Sequence, residues 1–218
     1  MMAQIRYSRI PNEMSWSALK SLLPFVSSKR QGRILKQKCL QRAWQLWISE
    51  RLVQNQMEKK FGQSCTFTQD QYGKPRIKDQ DVHFNCSHSG DWVVCVFADE
   101  EIGIDVEQIK PIQTDHYTAC FPESNHLNEQ SFFLLWTVKE AYVKATGCGL
   151  YKELSTILIP EAQLESDCVT PIDLQKKHSF SCKRINLIKD YALAICGTEK
   201  DLESIEIIKE TIESLTPH

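Results

Sequence analysis

The sequence has 218 residues, of which 42% are hydrophobic and 25% charged, and this composition excludes disordered, collagen-like and low-complexity classes. Lysine and arginine number 26 against 28 aspartate and glutamate residues, so the formal net charge of −2 indicates no class of partner. No segment reaches the ~20 apolar residues of a membrane helix, and we expect neither a signal peptide nor a membrane partner. Nine cysteines in such a chain predict reduced thiols and a cytoplasmic protein.

The predicted elements begin with a strand and a long helix. Alternating apolar residues predict a strand at 4–10, and the spacing of Leu40, Trp44, Trp47 and Leu52 predicts an amphipathic helix from about residue 33 to 60. A short strand at 65–68, a turn at 71–75 and a buried strand at 92–98 follow.

The second half repeats this order of elements. After a strand at 102–106, Phe132, Leu135, Trp136 and Val143 mark a second long helix that ends at Gly147. Strands are predicted at 156–159, 179–187 and 191–196, and the segment 205–212 is ambiguous. We therefore expect an α+β fold of two similar halves, 1–102 and 103–218, with a functional site in the cleft between them.

Charge is concentrated in two segments. Residues 29–42 contain six basic residues and no acidic one, whereas residues 99–107 contain five carboxylates and no basic one. Such separation of charge is typical of a protein whose ligand is anionic in one place and bound to a metal in another. The alternative is that both segments are solvated surfaces.

The first candidate site is the pair Asp105 and Glu107 in the sequence Gly-Ile-Asp-Val-Glu. Residues two apart on a strand point to the same side, so both carboxylates would project together. Mg²⁺ suits this arrangement, because it binds one or two carboxylates and completes its coordination with water and phosphate oxygens. The alternative is a pair of solvated carboxylates on an edge strand.

The second candidate site lies on the second predicted long helix, in the motif at 136–147. Trp136, Glu140 and Lys144 are spaced four apart and share one face, with Lys139 beside them. A phosphate would satisfy the lysines and a metal would satisfy Glu140. The alternative is an ordinary salt bridge between Glu140 and Lys144 on the helix surface.

A third candidate is the polar run at 84–90, Phe-Asn-Cys-Ser-His-Ser-Gly. It places hydroxyl groups and an imidazole just before a buried strand, or else forms a turn stabilised by its own side chains. His83, Cys86 and His88 could also be metal ligands, but on a strand His83 would point away from the other two. No pattern that stabilises a thiolate accompanies Cys86, which disfavours it as a nucleophile.

Four motifs in this order and spacing resemble the 4′-phosphopantetheinyl transferases of the Sfp type. They are Gly-Lys-Pro at 73–75, F-N-x-S-H-S-G at 84–90, G-I-D-V-E at 103–107 and W-x-x-K-E-A-x-x-K-x-x-G at 136–147. With the basic segment upstream, the resemblance covers roughly residues 29–150. It implies a magnesium-dependent, monomeric enzyme that transfers the phosphopantetheine arm of coenzyme A to a serine of an acyl or peptidyl carrier protein and releases 3′,5′-ADP. It also implies a pseudo-twofold fold with the active site between the halves.

The resemblance also implies a role for each matching residue. Three carboxylates would hold Mg²⁺, or alternatively Mn²⁺, on the coenzyme A pyrophosphate: Asp105, Glu107 and Glu140. Lys139 and Lys144 would contact the pyrophosphate. The nucleotide end with its 3′-phosphate would be bound by Lys74, Ser87, His88 and Arg42, with Lys29, Arg30 and Arg33 as interchangeable candidates upstream.

The resemblance leaves the proton acceptor for the carrier serine open. Glu140, Glu123 and a metal-held water are the candidates, and Glu140 is ranked first.

Two other functional classes compete with this hypothesis. One is an inactive module that binds coenzyme A or a nucleotide, against which the intact set of carboxylates argues. The other is a nucleic-acid-binding protein that uses the basic segment 29–42, against which the acidic remainder of the chain argues.

Overall fold

The computed structural model describes residues 2–124, 127–149, 152–175 and 179–217; Leu150, at the end of the region of resemblance, lies outside them. The first part of the chain contains β1 (Ala3–Arg9), α1 (Trp16–Ser21), α2 (Ser28–Leu35), α3 (Leu40–Phe61), β2 (Phe67–Gln69), β3 (Pro75–Ile77), β4 (His83–Ser89) and β5 (Trp92–Ala98). The second contains β6 (Gly103–Gln108), α4 (Glu129–Thr146), β7 (Ile157–Leu158), β8 (Cys168–Val169), β9 (Ile172–Asp173), β10 (Ser181–Arg184), β11 (Tyr191–Gly197), α5 (Glu199–Glu203), β12 (Ile205–Glu210) and α6 (Ile212–Leu215).

Helices and strands combine into a mixed α+β fold with two four-stranded sheets. The first sheet has the order β12-β1-β5-β4 and the second β6-β11-β10-β8. Neighbouring strands are antiparallel except β1 and β12, which are parallel. Two short hairpins, β2–β3 and β7–β9, lie outside these sheets.

Alternation along the strands separates the hydrophobic core into layers. On β5, Val94 and Val96 face the second sheet, while Val93, Cys95 and Phe97 pack in the cluster that contains helix α3. On β6 and β11, alternate residues likewise face the first sheet or helix α4. The two sheets therefore pack against each other, and each is covered by one long helix.

The prediction of one continuous helix over residues 33–60 is wrong, because α2 ends at Leu35 and a separate helix, α3, begins at Leu40. The chain leaves helical geometry at 36–39, and Cys39 has extended backbone angles before α3 begins. The break lets α2 fold back onto α3, where Ile34 is buried and the Arg30 guanidinium lies 2.9 Å from the Glu50 carboxylate. Helical periodicity shows the apolar face but not this change of direction.

Helix α4 begins and ends as the sequence predicts. Asn128 and Ser131 form a capping box at its start, and Gly147 adopts a left-handed conformation (φ 72°) at its end. At Gly103 of β6, an added Cβ would overlap the backbone of Ala141 and Ala145. A residue without a side chain is thus required here for α4 to lie close to β6.

The ambiguous segment 205–212 forms mainly the strand β12, which returns to the first sheet beside β1. A buried ion pair between Arg6 and Glu210 holds it there, and the Arg51 guanidinium donates to the carbonyl of Leu215. The C-terminal segment therefore packs on the N-terminal part of the chain. The division at residues 102 and 103 stays a prediction.

The expectation that all nine cysteines are free thiols is wrong for Cys86 and Cys95, which form a disulfide. They are directly opposite each other on the antiparallel strands β4 and β5, with Cα atoms 4.1 Å apart. Opposite positions on adjacent strands bring side chains within bonding reach, a proximity that depends on strand pairing rather than sequence spacing.

Within the described ranges, no helix is both long and apolar enough to span a membrane.

Candidate active site

The facing edges of the two sheets, β4 and β6, are joined by polar side chains. Asn85 accepts a hydrogen bond from the Ile104 backbone N–H at 3.0 Å, and the Ser89 hydroxyl accepts one from the Gln108 N–H at 3.1 Å. Asn85, Ser87 and Ser89 alternate along β4 and so share one face. Sequence analysis did not assign Asn85 and Ser89 a role, although the alternation of polar residues in the motif at 84–90 indicates this shared face.

The same face of β4 meets the two predicted carboxylates of β6. Ser87 donates to Asp105 at 2.8 Å, and Ser89 donates to Glu107 at 2.6 Å. Asp105 is buried and Glu107 partly exposed. The two carboxylates therefore project together, as the alternation along the strand predicts.

Helix α4 brings Glu140 and Lys144 to these carboxylates. The Lys144 ammonium lies 2.5 Å from Asp105 Oδ1 and 3.0 Å from the Ser87 hydroxyl. Its partner on β6 distinguishes it from a surface lysine paired along its own helix. The proximity of Gly103 to the α4 backbone places the helix close enough for these contacts.

Asp105, Glu107 and Glu140, which we call the carboxylate group, carry excess negative charge. Burial raises the pKa of Glu140, and so do the nearby Asp105 and Glu107. Burial, and secondly Asp105, likewise raise the pKa of Glu107. Lys144, and at Glu107 also Lys110, only partly offset this effect, so a further cation would stabilise the ionised forms of the carboxylates.

The donor set of the carboxylate group fits a divalent cation. Asp105 Oδ2 is buried and has no hydrogen-bond partner among the described residues. Across the described residues, no three His, Cys, Asp or Glu side chains form a preassembled metal site. Mg²⁺ does not require one, because it takes one or two carboxylates and completes its octahedron with water and substrate phosphates.

A cavity of roughly 300 Å³ lies on the other side of β4, between β4, α2 and α3. We call it the basic cavity, because its lining includes the basic residues Lys29, Arg30, Arg33, Arg42 and His88. The lining also includes the apolar residues Leu46, Val53, Phe67, Phe84 and Pro75. This combination suits a ligand with a phosphate at one end and an aromatic base at the other.

Glu50 is a feature of the basic cavity that sequence analysis missed. It is 3% exposed, accepts a hydrogen bond from the Ser27 N–H at 2.5 Å and pairs with Arg30. Arg30 is therefore already neutralised by a carboxylate, which distinguishes it from Lys29 and Arg33. No local pattern could reveal this, since Glu50 lies in the middle of a long helix.

His88 and Arg42 are in direct contact across the basic cavity. Burial, and then the positive charges of Arg42 on α3 and Lys144 on α4, lower the pKa of His88 to about 4. Burial, and then Arg33 and Arg30 on α2, lower the pKa of Arg42. Burial is the larger cause of both shifts, and the neighbouring positive charges that add to it favour an anion in the cavity.

The stability of the protein should fall between pH 7 and pH 5 because of His88. Its pKa in the folded protein is about 4 against an ordinary 6.5, so over this range the unfolded chain binds a proton that the folded protein does not. The loss at pH 5 amounts to about 2 kcal/mol and levels off below pH 4. Urea denaturation of the parent and His88→Gln at both pH values would measure it, with His116→Gln as the control. An equal pH dependence of parent and His88→Gln would contradict the assignment.

Lys74 and Lys139 do not lie in the positions that the resemblance implies. The Lys139 ammonium is fully buried, 2.8 Å from Glu123 and 2.7 Å from the carbonyl of Cys120. The Lys74 ammonium is bound to Glu101, at 2.7 Å. The structure thus brings neither lysine into the basic cavity or the carboxylate group, and it keeps Glu123 with Lys139.

The structure does not support the alternative zinc site at 83–88. His83 contacts Arg76 and Glu101, and Cys86 is bonded to Cys95. Cys86 and His88 line the basic cavity, so His83 points away from both, as expected for a strand.

Comparison with known proteins gives a consistent result. The sequence model of the 4′-phosphopantetheinyl transferase superfamily matches residues 101–196. 4′-Phosphopantetheinyl transferase gsp of Aneurinibacillus migulanus is 29% identical over 98% of this chain and 94% of its own length. 4′-Phosphopantetheinyl transferase psf-1 of Bacillus pumilus is 31% identical over 87% of this chain and 87% of its own length. 4′-Phosphopantetheinyl transferase Sfp of Bacillus subtilis is 35% identical over 62% of this chain and 64% of its own length.

Proposed function

Because the chain belongs to the 4′-phosphopantetheinyl transferase superfamily, we propose that it transfers the 4′-phosphopantetheine arm of coenzyme A to a serine hydroxyl of a carrier protein. The expected substrate is an apo acyl or peptidyl carrier protein, and the by-product is 3′,5′-ADP. The serine oxygen forms a bond to the phosphorus of the arm, the bond to the leaving ADP phosphate breaks, and the hydroxyl proton passes to a base.

One structural observation supports this function beyond the family. The basic cavity and the carboxylate group lie on opposite faces of β4. The neighbouring residues His88 and Ser87 point to these two sites, His88 to the cavity and Ser87 to Asp105. Coenzyme A carries a 3′-phosphate on its nucleotide and a pyrophosphate nearby. Its binding therefore requires one cationic site and one site for a metal with a lysine, close to each other.

In this proposal the basic cavity binds the nucleotide end. The 3′-phosphate is surrounded by the basic residues Lys29, Arg33, Arg42 and His88, and the apolar residues that line the cavity contact the adenine base. Lys144 neutralises the pyrophosphate, and the Ser87 hydroxyl holds the Asp105 carboxylate in place beside Lys144. Phosphoryl-type transfer depends mostly on such positioning and charge neutralisation.

Asp105, Glu107 and Glu140 would hold Mg²⁺, with Mn²⁺ as the alternative. When bound, the ion would make the phosphorus more electrophilic and stabilise the leaving phosphate. Glu140 is the proposed side-chain base, because it lies beside Asp105 and Glu107, whereas Glu123 is ion-paired with Lys139.

The overall organisation of the molecule is part of the same proposal. Each sheet with its long helix, α3 or α4, would correspond to one half of a pseudo-twofold enzyme, with the active site between β4 and β6. The division into 1–102 and 103–218, a monomeric state and a cytoplasmic location stay predictions from the sequence.

The two alternative functions are not favoured. The relatives that match most of the chain are named as transferases, and Asp105, Glu107, Glu140 and Lys144 are all present and near one another. Four of the six basic residues of segment 29–42 line a cavity, which suits a small ligand better than a nucleic acid.

Mass spectrometry of an apo carrier protein tests the proposed function. After incubation with coenzyme A, Mg²⁺ and this protein, we expect the carrier to gain the mass of one phosphopantetheine arm. Replacement of the acceptor serine by alanine is the control and should abolish the gain. No gain with any of several acyl and peptidyl carriers would contradict the proposal.

The role of His88 predicts discrimination between two ligands. His88→Ala should weaken coenzyme A binding by about 10- to 150-fold, the value of a charged hydrogen bond, but 3′-dephospho-coenzyme A binding much less. Isothermal titration without divalent cations would measure both dissociation constants. His83→Ala, on the same strand but outside the cavity, is the matched control. Equal weakening of the two ligands would show that His88 does not contact the 3′-phosphate.

A further inference from the structure

Lys74 is a buried cation with a complete set of partners. Its side chain is 6% exposed, and its ammonium lies 2.7 Å from a Glu101 carboxylate oxygen. The ammonium also donates to the carbonyl of Ile102 at 3.3 Å and to that of Ala145 at 3.2 Å. Three acceptors match the three N–H groups of an ammonium, so none is left for a ligand.

The partners of Lys74 belong to the two elements that carry the carboxylate group. Ala145 lies in the last turn of α4, directly after Lys144, and a cation there interacts favourably with the helix C-terminus. Ile102 directly precedes Gly103, the first residue of β6. One ammonium thus binds the end of α4 to the start of β6.

The Lys74 contacts lie at the point where α4 and β6 are closest. Gly103 touches the backbone of Ala141 and Ala145, and one turn of α4 carries both Glu140 and Lys144. A small shift of α4 along β6 would change the separation between Lys144 and Asp105. Reactive groups displaced by about 1 Å can lose about a hundredfold in rate.

Lys74 also does not line the basic cavity. Its neighbour Pro75 lines the basic cavity together with Gln69 of the paired strand, but Lys74 is not among the residues of the cavity wall. To reach a ligand there, Lys74 would have to give up its buried contacts with Glu101 and two carbonyl groups.

We propose that the Lys74 side chain is a positioning group that fixes α4 against β6, and thereby the carboxylate group and Lys144, without its ammonium contacting coenzyme A. This inference rests on the proposed function. Loss of Lys74 changes the geometry of the transfer step, whereas the basic cavity keeps its residues Lys29, Arg42 and His88.

The test compares Lys74→Met with the parent in two measurements on the full chain. With an apo carrier protein, coenzyme A and saturating Mg²⁺, we expect kcat to fall about 10- to 100-fold. The dissociation constant of coenzyme A, from isothermal titration without divalent cations, should stay within about threefold. Lys78→Met is the matched control, because Lys78 lies in the same region with its side chain 58% exposed, and it should change neither value.

A second variant covers the case in which Lys74→Met does not fold. Glu101→Gln keeps the lysine and its two carbonyl contacts but removes the charged partner, so it should lower kcat less, with coenzyme A binding unchanged. Coenzyme A binding weakened tenfold or more in either variant would overturn the proposal and make Lys74 a ligand. An unchanged kcat in a folded Lys74→Met would overturn it as well.

Failure of the inference is distinguishable from failure of the proposed function. If the parent protein transfers no phosphopantetheine, the proposed function fails. If the parent transfers it and Lys74→Met does so at the same rate, only the inference about Lys74 fails.

Discussion

Replacing Asp105 by alanine is expected to remove most of the turnover while the fold and coenzyme A binding survive. Asp105 is the buried member of the carboxylate group, and its Oδ2 has no partner within the described residues. Loss of this carboxylate should remove charge stabilisation worth about 3–4 kcal/mol, or roughly 10²- to 10³-fold in kcat. The fold should survive because the Lys144 side chain, 26% exposed, can be hydrated when its partner is removed.

Three measurements on Asp105→Ala check this expectation. They are kcat at saturating Mg²⁺, the coenzyme A dissociation constant without divalent cations, and the melting temperature. Asp81→Ala, at an exposed carboxylate, is the control and should behave as the parent does. Turnover of Asp105→Ala within a few-fold of the parent would rule out a central role for the carboxylate group.

Lys144→Ala should produce the second large effect, a loss of about a hundredfold in kcat. A lysine that only pairs along its helix contributes about 0.3–0.5 kcal/mol, and its loss would hardly change the rate. In the structure Lys144 instead pairs with Asp105 on β6, where its charge can neutralise the pyrophosphate. One contact of this kind typically contributes about 3 kcal/mol to lowering the barrier.

Lys144→Ala should also reduce stability in the absence of a divalent cation. Its removal leaves the 4% exposed Asp105 with the Ser87 hydroxyl as its one remaining side-chain partner in the part of the chain that the structure describes. We expect a loss of about 2 kcal/mol, below the ~3–5 kcal/mol for one partner of a fully buried pair, because Lys144 is partly exposed. Mg²⁺ should restore part of this loss, since a cation at Asp105 replaces the missing charge.

The relevant comparison for Lys144 covers the parent, Lys144→Ala and Lys144→Arg. Lys144→Arg should recover activity only in part, because a planar guanidinium does not reproduce a compact ammonium at a close phosphate contact. Both kcat and the free energy of unfolding, with and without Mg²⁺, should be measured on the three proteins. Lost stability with an intact kcat would mean that Lys144 only holds α4 in place.

Several features of the candidate site follow from local periodicity alone. Asp105 and Glu107 point to one side because strand residues alternate, and Glu140 and Lys144 share a face because helix residues four apart do. The end of α4 at Gly147 follows from the low cost of a left-handed glycine. The order and spacing of the four motifs carry the resemblance to the family that the comparisons show.

Other features depend on which distant segments meet. The sequence cannot show that Lys74 turns towards Ala145 and Lys139 towards Glu123, because a long flexible side chain goes to whichever acceptors the fold places within reach. Likewise, Cys86 meets Cys95 only through strand register.

What the sequence by itself determined is the set of chemical groups, their orientation within each strand or helix, and the family. What only the tertiary structure decided is which of these groups meet. The break before α3 that turns the basic helix α2 back over its cavity, the return of β12 to β1 and the approach of α4 to Gly103 all depend on contacts between distant residues. Side-chain direction repeats with the local backbone, but a buried charge is stable only where the packed chain provides its partner.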